Sequence, residues 1–144
     1  MKNEDTVKLL KECNAGCKNA TNTMEQVLPY LKKGDLRRII EEYNEEHAVL
    51  GKECHKLLNE MHESEKDPHP MVRAMAHTET AMRLSFDGKP EQVAKIMHKG
   101  CFMGIESLSR YLNQYENADE ESHCIAEDLI RIEENFEKDL RRFL

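Results

Sequence analysis

Cysteine and histidine are the residues of this sequence that could do chemistry, and several stand at helical spacings. Cys13 and Cys17 are four apart, so on a helix they share a face. His98 and Cys101, three apart, do the same, with Met97 beside them. Thiolate and neutral imidazole are the ligands of soft and borderline ions. A set drawn from Cys17, His47 and Cys101, with Cys13 and Cys54 a turn or two away, could therefore hold Cu(I) or Zn²⁺. The competing reading is packing. A free Cys behaves as a small hydrophobe and is among the most often buried residue types. A single inward His is more often a hydrogen-bonded core residue than a ligand, and packing is the preferred reading. The neighbours Cys54–His55 and His123–Cys124 point about 100° apart on a helix and make no nucleophilic dyad. No Gly-rich phosphate loop is present. No catalytic residue is assigned, and no cofactor is expected under the packing reading; iron, zinc or copper belongs to the alternative.

Composition narrows the partners. The 144 residues carry 21 Lys and Arg against 28 Asp and Glu, a net charge of −7. The basic residues are scattered, so there is no basic footprint for nucleic acid. No apolar run approaches the roughly 20 residues of a membrane span. The opening MKNEDTVKLL lacks the apolar core of a signal peptide, which points to the cytoplasm. Five cysteines in no disulfide-like spacing then read as free thiols.

The elements that must position these residues are helices. Leu, Glu, Lys, Ala and Met dominate, and β-branched residues are sparse. Breakers divide residues 1–144, read as one domain, into five segments. The spacing predicts helices over about 4–33, 35–66, 90–115 and 118–144, with a shorter one over about 70–86. Gly34 stops the first and Asp35 N-caps the second. Asp67-Pro68-His69-Pro70 and Asp87-Gly88-Lys89-Pro90 bound the short one, and Asn117 or Asp119 begins the last. Pro29 should bend the end of the first helix.

Inward stripes follow alternating three- and four-residue steps. They run Val7, Leu10, Asn14, Cys17 in the first helix and Tyr43, His47, Leu50, Cys54 in the second. In the last they run Ile125, Leu129, Ile132, Phe136. This is the pattern of nearly parallel helices in a bundle. The acidic pairs Glu41-Glu42 and Glu133-Glu134 read as solvated faces. Gly16, Gly51, Gly100 and Gly104 sit near mid-helix, where each costs ~1 kcal/mol relative to Ala. Close helix approach is the preferred reason, and room for a ligand the other.

Four long helices of ~40–46 Å joined by short connections and one short helix imply that the second and fourth segments run parallel. The short segment then carries the chain back along the bundle. On that plan, and on the stretches EEYNEEHAVLGKECHKLL and HKGCFMGIESLSRYLNQY, the sequence resembles the ferritin-like superfamily. It is similar to a small bacterial branch in which a short helix serves as crossover. The resemblance implies an all-α four-helix bundle. The superfamily's chemistry would need a carboxylate from each of two helices and Glu-x-x-His from each of the other two. Here Asn44 stands three before His47, Cys17 and Cys101 stand at mid-height, and Glu106 falls off the inward stripe. The one Glu-x-x-His, Glu120 to His123, lies near a bundle end.

The expected function is therefore that of a non-enzymatic helical module, acting by self-association or protein interaction. The alternative is a metal-binding or redox bundle with a modified mid-bundle Cys/His site. A homodimer is the expected assembly, with Met71, Met75, Met82, Phe86, Ile130 and Leu144 as its candidate contacts.

Overall fold

The computed structural model describes residues 3–64 and 89–144. Four α-helices account for most of them: α1 (Glu4–Val27), α2 (Asp35–Glu60), α3 (Pro90–Gln114) and α4 (Glu120–Leu140). Two 3-10 turns, Leu28–Tyr30 and Arg141–Phe143, follow α1 and α4, and no strand occurs among the described residues. The expected short helix over 70–86, with Met71, Met75, Met82 and Phe86, lies outside the described residues.

Local chemistry sets the ends. Asn3 caps α1, its Oδ1 accepting from the backbone N–H of Asp5 and Thr6 at 2.9 and 3.3 Å. The α-helix stops at Val27, earlier than the expected 33. Pro29 has no N–H for the carbonyl of Glu25, and its ring crowds that carbonyl, so the chain tightens into a 3-10 turn. Asp35 is not the cap of α2. Gly34 holds that position, and Asp35 is the first helical residue, its carboxylate meeting Arg38 and Arg142 at 3.3 and 3.7 Å.

The other end of α2 also falls short of the expected 66. His62 adopts φ 58, the left-handed region. From there His62 N–H reaches Asn59 O at 3.0 Å and Glu63 N–H reaches Leu58 O at 2.9 Å. Those two bonds are a Schellman stop with His in the place Gly usually takes. Pro90 opens α3 as expected, with its missing N–H at a position that needs none. Asp119, not Asn117, caps α4 by accepting from Ser122 N–H at 2.8 Å.

Two apolar layers fix the helix directions. One gathers Val27, Ile40, Val93 and Leu140, each nearly fully buried. The other gathers Leu10, Leu58, Leu108 and Ala126. The first layer thus takes the end of α1, the start of α2, the start of α3 and the end of α4. Hence α1 and α4 run one way and α2 and α3 the other. The pairs α1–α2, α3–α4, α2–α4 and α1–α3 all pack, while α2 and α3 lie across the bundle from each other. Helix α2 therefore finishes at one end of the bundle and α3 begins at the opposite end. The α3–α4 connection is tied to the start of α1, where Asp119 N–H donates to Thr6 Oγ1 at 2.7 Å. Each fully buried Leu or Ile contributes about 1.5–3 kcal/mol.

Gly51 explains how closely α1 meets α2, since a Cβ there would lie 3.2 Å from Cys17 Cβ. Gly104 has a different reason: its missing side chain leaves room for the Glu133 carboxylate, 3.4 Å from where a Cβ would be. Gly16 and Gly100 face nothing within 4 Å, so neither is needed for approach.

Candidate functional site

Polar groups collect between the two apolar layers. His47 comes from the inward stripe of α2 and is 1% exposed. Its Nδ1 lies 2.7 Å from the Tyr43 carbonyl. A carbonyl only accepts, so Nδ1 carries a proton. Its Nε2 meets a carboxylate oxygen of Glu133, from α4, which is 7% exposed. Burial works against the imidazolium, but the bonds to Glu133 and to the Tyr43 carbonyl outweigh it, and the His47 pKa stands above its ordinary value. The two side chains form a buried bond between α2 and α4. The Cys101 thiol on α3 hydrogen-bonds the same carboxylate.

Tyr43 is itself held from two sides. Its ring stacks on Phe136 at 4.5 Å between centroids, and its hydroxyl donates to Asp139 Oδ2 at 2.6 Å. That fixes the turn of α2 whose carbonyl orients His47. One turn along α4, Glu137 is also buried, accepting from His98 Nε2 at 2.8 Å. Arg141 grips it from the 3-10 turn that follows α4, with bonds of 2.7 and 2.8 Å. Those Arg141 bonds lead in holding the Glu137 carboxyl below its usual range.

The thiols are chemically quiet. Cys13, Cys17, Cys54 and Cys101 are buried and free, and Cys124 is exposed. Burial pushes Cys54 up to about 12. It raises Cys13, Cys17 and Cys101 as well, with the Glu133 charge adding to the effect at Cys17 and Cys101. Thiols this reluctant to ionise are weak nucleophiles.

Of the five residues singled out in the sequence, the structure brings His47 and Cys101 together on Glu133, with Cys17 near enough to feel its charge. Cys17 itself packs with Cys13 and Cys54 in the layer of Leu10 and Leu58. Among the described residues, no group of three or more His, Cys, Asp or Glu side chains is placed to hold a metal ion. The donor set also does not fit the di-iron pair that the resemblance implies. Cys17 and Cys101 stand where carboxylates are needed, and the Glu133 carboxylate is bonded to His47. Glu120, the first residue of α4, and His123 lie at a bundle end, as expected.

The reading of Glu133-Glu134 as a solvated face is half corrected: Glu134 is exposed, but Glu133 is not. The signal was present. From Leu129 the stripe can step three residues to Ile132 or four to Glu133, and both steps face inward. Gly104 was the second clue, a vacancy opposite the carboxylate.

A cleft of about 320 Å³ opens between α1 and α2 beside this cluster, lined by Asn14, Cys17, His47 and Gly51 and bordered by Lys18 and Lys52. Asn14 is 1% exposed, and its Nδ2 has no hydrogen-bond partner. No helix among the described residues is long and apolar enough to cross a membrane. Set against protein-family models, curated proteins and solved structures, the chain matches none of them.

Proposed function

We propose that this chain is a ferritin-like bundle that has given up the di-iron cage and works as a non-enzymatic module, through its surface. One observation carries this reading. At the bundle centre both His47 ring nitrogens are engaged and burial disfavours the thiolate of Cys17 and Cys101, so the centre offers no free base and no ready nucleophile. What the centre does supply is a buried His47–Glu133 bond that joins α2 to α4. The crossover and its short helix over 70–86 belong to this reading. It is supported by α2 ending and α3 beginning at opposite ends of the bundle.

The surface contact we assign to self-association or a protein partner. Phe102 and Met103 are half-exposed neighbours on α3, and Leu144 is half-exposed at the chain end. Ile130 packs partly against the core and is a weaker candidate. Light scattering tests the reading. A dimer at high micromolar concentration that Phe102→Glu with Met103→Glu returns to monomer is the expected result. A monomeric wild type, with no partner contact mapped to this face, would overturn it.

A second reading has its own observation, the meeting of His47, Glu133 and Cys101. Stoichiometric iron, zinc or copper in protein purified without a His tag would replace the first reading with a metal-binding or redox bundle.

A further inference from the structure

We infer that α3 pairs antiparallel with α3 of a second copy of this chain, about a two-fold axis level with Gly100 and Cys101 and with Phe102 at the centre of the contact. The inference rests on the surface contact proposed above and gives that contact its partner and its register.

The centre is an apolar anchor already set in place. Phe102 and Met103 are each more than half exposed. The Phe102 ring meets His98 edge to face, 4.9 Å between centroids, and His98 is itself held by Glu137 at 2.8 Å. An exposed aromatic ring propped in this way gives up little freedom when a partner covers it. Aromatic side chains and Met are also what the centres of protein contacts favour.

Charge selects the occupant. Glu91, Lys95, Phe102, Glu106 and Arg110 are all exposed and fall within an arc of about 100° on α3. Lys99 shares the stripe but is engaged within its own chain, and the pairing does not depend on it. Those two acids and two bases balance, which suits self-contact on a chain of net charge −7. Run in the opposite direction, the stripe complements itself. With the axis at Gly100–Cys101, Lys95 lies level with Glu106 of the second copy and Glu91 with its Arg110, and each pair occurs twice. At 1.5 Å per residue the pairs stand roughly 8 and 14 Å from the axis, on either side of the two Phe102 rings. Sliding the helices by four residues sets Lys95 against Arg110 or Glu91 against Glu106, and an in-register parallel pairing sets every charge against its like. The four-residue spacing within Glu91–Lys95 and Glu106–Arg110 also supports the helix itself, but it does not account for an exposed Phe102 between them.

Light scattering and sedimentation of the full chain carrying Lys95→Glu, Glu106→Lys or both test the register, and both positions are exposed, so the core is spared. Each single variant brings two like-charged pairs into the contact and should dimerise about tenfold more weakly than the wild type. The double variant only reverses the pairs and should dimerise as the wild type does. An equimolar mixture of the two single variants should form a heterodimer at wild-type strength, because both crossed pairs then attract. The inference is overturned if the single variants dimerise as well as the wild type, or if the double variant or the mixture fails to recover. Those results leave the surface-contact reading standing, since Phe102→Glu with Met103→Glu decides it separately. A monomeric wild type also overturns the inference and leaves this face to a different protein partner.

Discussion

Replacing His47 or Glu133 by Leu should cost far more singly than the two replacements cost together. In Glu133→Leu the His47 ring remains buried, its Nε2 loses its partner, and the Cys101 thiol loses its acceptor. In His47→Leu the Glu133 carboxylate is stranded at 7% exposure. Two unit charges at contact attract by about 4 kcal/mol at an effective dielectric of 20, and breaking a buried pair costs about 3–5 kcal/mol. Each single variant should therefore lose ~3–5 kcal/mol of the ~5–15 kcal/mol that keeps a domain folded. The double variant replaces a desolvated pair by apolar side chains of suitable size, which is often close to neutral. The expected coupling is then ~6 kcal/mol or more, the sum of the two single losses. Urea unfolding of the four proteins measures it from midpoints and slopes. Single losses below about 1 kcal/mol that simply add would refute the reasoning. The pair also sets a pH signature. The folded pKa of His47 lies above its unfolded value of about 6.5, so the stability it contributes is complete below that value. It is lost as pH rises through the folded pKa, and His47→Leu should flatten that fall.

Gly100→Ala should stabilise by about 0.5–1 kcal/mol in thermal unfolding, because its Cβ meets nothing, whereas Gly51→Ala should bring no gain because its Cβ meets Cys17. Equal gains at the two positions would contradict the close approach of α1 and α2. His62→Gly should raise stability by roughly 1 kcal/mol in urea by relieving the left-handed backbone, and His62→Val should lower it. In the folded protein a thiol reagent should modify Cys124 rapidly and the other four cysteines only on unfolding. Rapid native modification of Cys17 or Cys101 would show that the centre is open.

The bundle was legible because its signals are local. Pro90, the Asp119 cap and the apolar stripes specify helices from nearest-neighbour chemistry, and their spacing implied that α2 and α3 run parallel. The ends of α2 were harder. The sequence signals a stop only at Asp67-Pro68, and His62 supplies it earlier, through two backbone bonds that no residue type announces. Cys17, His47 and Cys101 were placed inward correctly by periodicity. Their key partner was not, since periodicity cannot choose between a three- and a four-residue step. An acidic side chain at the choice point, Glu133, is by composition a surface residue. Only the tertiary partner, an imidazole with one nitrogen already committed to Tyr43, makes its burial affordable. Asn14 was read as a polar residue needing partners, and the structure leaves its amide nitrogen without one.

Nitrogen resonances of the His47 ring test the central claim most directly, that the bundle centre is closed by an imidazolium–carboxylate pair. At neutral pH, in protein purified without a His tag, both Nδ1 and Nε2 should show the shifts of protonated nitrogens, and Glu133→Gln should remove the proton from one of them. A wild-type ring with a single protonated nitrogen, or with the shift of a metal-bound one, would contradict the claim.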